Sequence, residues 1–242
     1  MRKPAVEQAM TRYALNETMR RLGAGVPARV RHLPVSPQGY YVPWFVAWLR
    51  DGAECRACEV GAAPDFRVIG AGKIAQAVRW RRCWVCGGTL GRHMAFVAGP
   101  MCAVNRTSSE PPSHRECAVF SAHACPFLSN PSMLRNAVDL PQQHHDGAGI
   151  MIKRNPGVAL VWVTCSYRRI RVANGILLRV GDPEEVLWFC EGRPATRAEV
   201  MASIESGLPL LRAVAEKDRD AVGAQAELEL LIDLAMPLVP AE

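Results

Sequence analysis

Cys83-Trp-Val-Cys86-Gly87 sets two thiols on one tight turn, and His114-Arg-Glu-Cys117 sets an imidazole and a third thiol one helical turn apart. Zinc takes four soft or borderline ligands on a tetrahedron, and a Cys-x-x-Cys turn offers two thiolates to one ion without strain. Residues three apart share a helix face. Gly87 directly after the second thiol lets the backbone turn back. The expectation is one structural zinc ion held by Cys83, Cys86, His114 and Cys117. Cys102 and Cys125 are rival ligands, and Cys102 would replace His114 under a different loop path. Cys55-Arg-Ala-Cys58 is a second short-spaced pair, whose partners would be Cys102, Cys125 or His123. Cys165 and Cys190, expected in a strand and a helix among apolar neighbours, read as small buried hydrophobes. The nine cysteines are an odd number in a chain of 242 residues, which favours reduced thiols and metal over a disulfide framework.

The elements that must position these ligands follow from periodicity and turn chemistry. Residues 4–22 carry apolar positions at helical spacing, and Gly23 and Gly25 end the run. Tyr40 to Leu49 is apolar on both strand faces and predicts a buried strand, with Pro43 at an edge, near its start or at a bulge. Phe66 to Ile69 predicts a short strand, Gly72 to Arg81 a helix delivering the chain into Cys83, and residues 89–98 a hairpin or bent strand. Pro111 to about Ala122 predicts the ligand-bearing helix, with Ser113 and Glu116 as a capping box. Asn130 and Pro131 predict another short helix, and Leu140 to Pro156, including His144, His145 and Asp146, reads as a linker. Val158 to Thr164 predicts a strand and Ile170 to Val180 a hairpin around Asn174 and Gly175. Asp182, Pro183 and Glu185 read as cap, first-turn proline and capping-box acid of a helix over 183–190. Thr196 and Glu199 repeat the device for a helix through about Ser206, and 209–235 adds one or two more. The fold class expected is α+β: a region 1–138 with the zinc site, a linker 139–156, and a hairpin with acidic helices over 157–242.

The order of knuckle, hairpin and ligand-bearing helix from Cys83 to about Cys125 resembles the treble-clef zinc-finger superfamily, over less than a fifth of the chain. That resemblance implies a structural metal at a hairpin-helix junction and selects no function. The segments CWVCG, GPMCAVNR, SSEPPSH and CPF also resemble uncharacterised bacterial and phage-type proteins. Likeness to HNH nucleases, which use a treble clef, would give His93, Asn105 and His114 catalytic parts beside a divalent metal. Arg92 stands where those enzymes place an acid, and His114 cannot serve both zinc and a second metal.

Charge directs the rest. Residues 1–181 carry 24 basic and 10 acidic side chains, whereas 182–242 carry 5 and 13. No acid occurs between Asp65 and Glu110, or from Gly147 to Gly181. Unopposed arginines match phosphate geometry and give sequence-independent affinity. The function expected is zinc-stabilised binding of DNA or RNA through Arg79, Arg81, Arg82, Arg92 and Arg106, with Trp80 and Trp84 stacking on bases. The alternatives are a protein-interaction module using the acidic C-terminal helices, for a partner or self-association, and the HNH-like nuclease. No catalytic constellation stands out, so a non-enzymatic role leads. No apolar run reaches membrane-spanning length and the first residues lack a signal-peptide core, which predicts a cytoplasmic location.

Overall fold

The computed structural model describes residues 14–57, 59–130, 138, 140, 147–149 and 157–241. In chain order they form helices α1 (Glu17–Leu22) and α2 (Ala28–Arg31), then strands β1 (Val46–Arg50), β2 (Ala53–Cys55) and β3 (Ala63–Ile69). Helix α3 (Lys73–Trp80), strand β4 (Met94–Ala98), helix α4 (Met101–Asn105), strand β5 (Thr107–Ser108) and helices α5 (Arg115–Ala124) and α6 (Pro126–Ser129) follow. The remainder is β6 (Ala159–Thr164), β7 (Tyr167–Val172), β8 (Gly175–Val180), β9 (Glu185–Cys190) and β10 (Arg193–Pro194), closed by helices α7 (Arg197–Ala215) and α8 (Ala221–Ala235). The architecture is mixed α+β.

A strand buried at all six positions, as β6 is, needs cover on both faces. It lies inside an antiparallel sheet of order β10-β9-β6-β4. Phe96, Leu160, Trp162 and Trp188 point to one face, where α4, α7 and α8 pack. Ala95, Val161, Val163 and Phe189 point to the other, against Ala118 and Ala122 of α5. Two smaller sheets, β2-β1-β3 and β5-β8-β7, flank this core. Strand β4 pairs along β6 and β5 pairs with β8, so segments before and after 139–156 share sheets. The expected boundary there does not divide one sheet from another.

Four expectations about elements are corrected. Residues 183–190 are not helical: Glu185–Cys190 is a strand, paired to β6 with Val161 opposite Leu187. Short apolar runs are ambiguous between periods of 2 and 3.6; here Val186, Trp188 and Cys190 face one layer and Leu187 and Phe189 the other. Asp182, the presumed cap, instead pairs with Arg106 at 3.0 Å. Tyr40 to Phe45 is not a continuous strand: Tyr41 makes an isolated bridge to Val35, Phe45 stacks on Trp84 with ring centroids 4.7 Å apart, the Trp44 N–H donates to the Val85 carbonyl, and the strand itself starts at Val46. Ser113 does not cap α5: its backbone exchanges hydrogen bonds with Ala95, and His114 occupies the cap position. Finally, α1 starts at Glu17, capped by Asn16, and residues before 14 lie outside the described residues.

Elsewhere pattern and structure agree. The strand at 159–164 and the helices at 73–80 and 197–215 fall where expected, while the strand expected at Phe66 to Ile69 and the hairpin expected at Ile170 to Val180 each begin three residues earlier, at Ala63 and Tyr167. The Thr196–Glu199 capping box is formed, and α7 runs on past Ser206 through Pro209 to Ala215. The helix expected from Asn130 and Pro131, and His144, His145 and Asp146, fall outside the described residues. Among the described residues, no helix is long and apolar enough to cross a membrane.

Candidate metal centre

The Cys83 knuckle is shaped by its own backbone. The Cys83 N–H donates to the Gly88 carbonyl at 2.7 Å and the Gly87 N–H returns to the Cys83 carbonyl at 2.8 Å. Gly87 sits at φ +72°, and a Cβ there would lie 2.6 Å from the Trp44 indole. Glycine is therefore required twice, by conformation and by the ring against it. On the far side, the Ala95–Ser113 bridge fixes the start of α5 against β4. Helix α5 then turns Ala118 and Ala122 to the sheet, and Cys117, Phe120 and Ala124 to a second core with Met19, Val30, Cys83 and Val85.

The four predicted ligands meet there. Their ligand atoms all lie within 4.8 Å of one another. Cys86 Sγ is 3.4 Å and Cys117 Sγ 3.9 Å from His114 Nδ1. Metal–sulfur bonds of about 2.3 Å and metal–nitrogen bonds of about 2.0 Å on a tetrahedron put ligand atoms roughly 3.5–3.8 Å apart. The spacing fits one ion. The Cys86 and His114 N–H groups both donate to Cys83 Sγ, at 3.4 and 3.3 Å, which suits a thiolate. Hydrogen bonding from Cys117 and then Cys86 draws the Cys83 thiol well below its ordinary range, and that sulfur's demand pushes Cys117 up. Three clustered sulfurs cannot all ionise without a cation among them. The Cys3His cluster is thus compatible with a metal site.

The rival ligands stand elsewhere. Cys102, on α4, faces the core, where burial pushes its thiol up to about 12. Burial likewise raises Cys125. Cys55 joins neither metal-ligating cluster among the described residues, and Cys58 lies outside them. Cys190 is buried, in a strand rather than the expected helix. Cys165 is not the buried hydrophobe expected: it sits half-buried beyond β6, beside His93 and Glu184. Sequence reasoning missed this grouping because strand register, not chain proximity, creates it. His93 and His114 belong to separate clusters, and Asn105 Oδ1 accepts from the Thr107 N–H and hydroxyl as a turn former.

The basic residues divide. Arg79 and Arg81 line a groove of about 1570 Å³ together with Lys73, Arg168 and Arg169. Arg82 donates to the Gly87 carbonyl and lies over the half-exposed Trp80 ring, 5.8 Å from its centroid. Arg92 is exposed near Glu184. Arg106 is absorbed into structure, pairing with Asp182 and covering the Trp162 ring at 5.0 Å. Trp84 is buried and stacked, unable to meet a base. In the C-terminal helices Leu208 and Leu228 close the core, while Leu210, Leu230 and Leu234 are exposed. Comparison of the chain with protein families, curated proteins and solved structures finds no match.

Proposed function

We propose that this chain is a zinc-stabilised nucleic-acid-binding protein, in which a treble-clef-like knuckle, strand and helix hold Zn2+ through Cys83, Cys86, His114 and Cys117. Three thiolates and one imidazole form the donor set zinc favours, and a closed set of four protein ligands suits a structural rather than a catalytic ion. The ion would tie α5 to the knuckle, and α5 carries one wall of the central sheet.

One observation supports the binding reading above the others. The two acid-free stretches, distant in sequence, contribute Lys73, Arg79 and Arg81 from one and Arg168 and Arg169 from the other to a single groove. Among the described residues Glu54 is the acid lining it, and its carboxylate is engaged by the Ala71 N–H at 3.0 Å. A groove so lined attracts a phosphate backbone and releases its counterions. The test is binding of labelled mixed-sequence DNA and RNA oligonucleotides, single-stranded and duplex, over a salt series. The proposal expects salt-sensitive binding that weakens when Arg79, Arg168 and Arg169 are changed to Glu. Binding absent at low salt, or indifferent to those changes, contradicts it.

A further inference from the structure

Strands β4, β6 and β9 end together. Met94 opens β4 opposite Thr164, the last residue of β6, and Val163 of β6 lies opposite Glu185, the first of β9. One residue beyond each end stand His93, Cys165 and Glu184. Their common position is set by the backbone ladder of the central sheet, reinforced by the Glu184 N–H donating to the Val163 carbonyl at 2.8 Å.

Their side chains turn toward one point. Cys165 Sγ is 3.2 Å from Glu184 Oε1 and 3.6 Å from His93 Nδ1, and His93 Nδ1 is 2.6 Å from Glu184 Oε2. A nucleophile–base–orienter relay needs the thiol and the carboxylate on opposite ring nitrogens. Here both approach the same nitrogen, so the arrangement is a converging ligand set rather than a relay. We infer that His93, Cys165 and Glu184 form a second, open site for a borderline divalent transition ion such as Zn2+ or Co2+. A thiolate and a carboxylate would neutralise the dication, and the sulfur and imidazole select against Mg2+ and Ca2+. The sulfur–nitrogen spacing already matches two ligands of one ion, and the carboxylate, on an exposed side chain, withdraws by less than about 1 Å to share it. Three protein ligands leave a coordination position for water or a ligand oxygen. Cys165 also lines the basic groove, so that position lies at the groove wall. The inference rests on sheet geometry and does not depend on the groove's binding nucleic acid.

The test uses the full chain carrying one equivalent of zinc, titrated with Co2+ and followed by its sulfur-to-metal charge-transfer absorption. Alkylation of Cys165 by iodoacetamide, mapped by mass spectrometry with and without added Zn2+, is the second readout. A further equivalent is expected to bind, with affinity falling at least ~10-fold in His93→Gln and Glu184→Gln and the absorption lost in Cys165→Ser. Added Zn2+ is expected to slow Cys165 alkylation about tenfold or more in the unaltered chain, a result that needs no variant to fold. No further equivalent, the same equivalent in Cys165→Ser, or unchanged alkylation overturns the inference.

Discussion

His114 turns Nε2 to the Thr89 carbonyl, 3.0 Å away, leaving Nδ1 to face the sulfurs of Cys86 and Cys117. A carbonyl only accepts, so this contact places the ring proton on Nε2 and the lone pair among the thiols, as bound metals require of histidine. His114→Cys should therefore keep the ion and His114→Ala should release it. Zinc retained on gel filtration, measured in both variants against the parent chain, checks the contrast.

Gly87 should resist substitution more than any glycine on open surface. Gly87→Ala places a methyl against Trp44 in the left-handed backbone region and is expected to cost about 1–3 kcal/mol. Gly91, with nothing near its Cβ position, serves as control. Urea midpoints of Gly87→Ala and Gly91→Ala measure the difference.

The arginines should separate by role. Arg168→Glu with Arg169→Glu should lower the salt slope of nucleic-acid binding by about 2 while leaving stability nearly unchanged. Arg106→Ala should do the reverse, because its cation covers Trp162 and its side chain is 18% exposed. Paired binding isotherms and thermal melts distinguish the two patterns.

Glu185 gives stability an acid-side dependence. Two hydrogen bonds from Arg115, at 2.5 and 2.7 Å, and then its charge, hold the Glu185 carboxyl below its ordinary value of 4.5. A depressed folded-state pKa stabilises above the unfolded value and loses that contribution as pH falls through the folded one. Both partners are more than one-third exposed, so the contribution is about 0.2–1 kcal/mol. Glu185→Gln should be less stable by that margin near neutrality, and the gap should close as pH falls below 4.5 and through the depressed value of the folded carboxyl. Denaturant titrations across that range measure it.

The four-residue cluster was legible because its spacing is local: each pair is three residues apart, one on a turn and one at the start of a helix. Strand β9 was not, since Asp182-Pro183 and Glu185 imitate a helix start and the competing β6 ladder lies about twenty residues upstream. Larger separations hid the grouping of His93, Cys165 and Glu184, since His93 lies 72 residues from Cys165 and 91 from Glu184. Charge gaps in the sequence marked the basic stretches, yet could not show that Arg106 is taken by Asp182 while Arg168 faces the groove. Trp84 looked like a stacking platform because nothing local reveals Phe45 lying across it.

One ion among three sulfurs and one nitrogen has a distinct signature in X-ray absorption at the zinc edge, measured on untagged chain loaded with a single equivalent. Three sulfur neighbours at about 2.3 Å and one nitrogen at about 2.0 Å are expected. A shell of oxygen and nitrogen alone, or a chain that folds fully and retains no metal, contradicts that coordination.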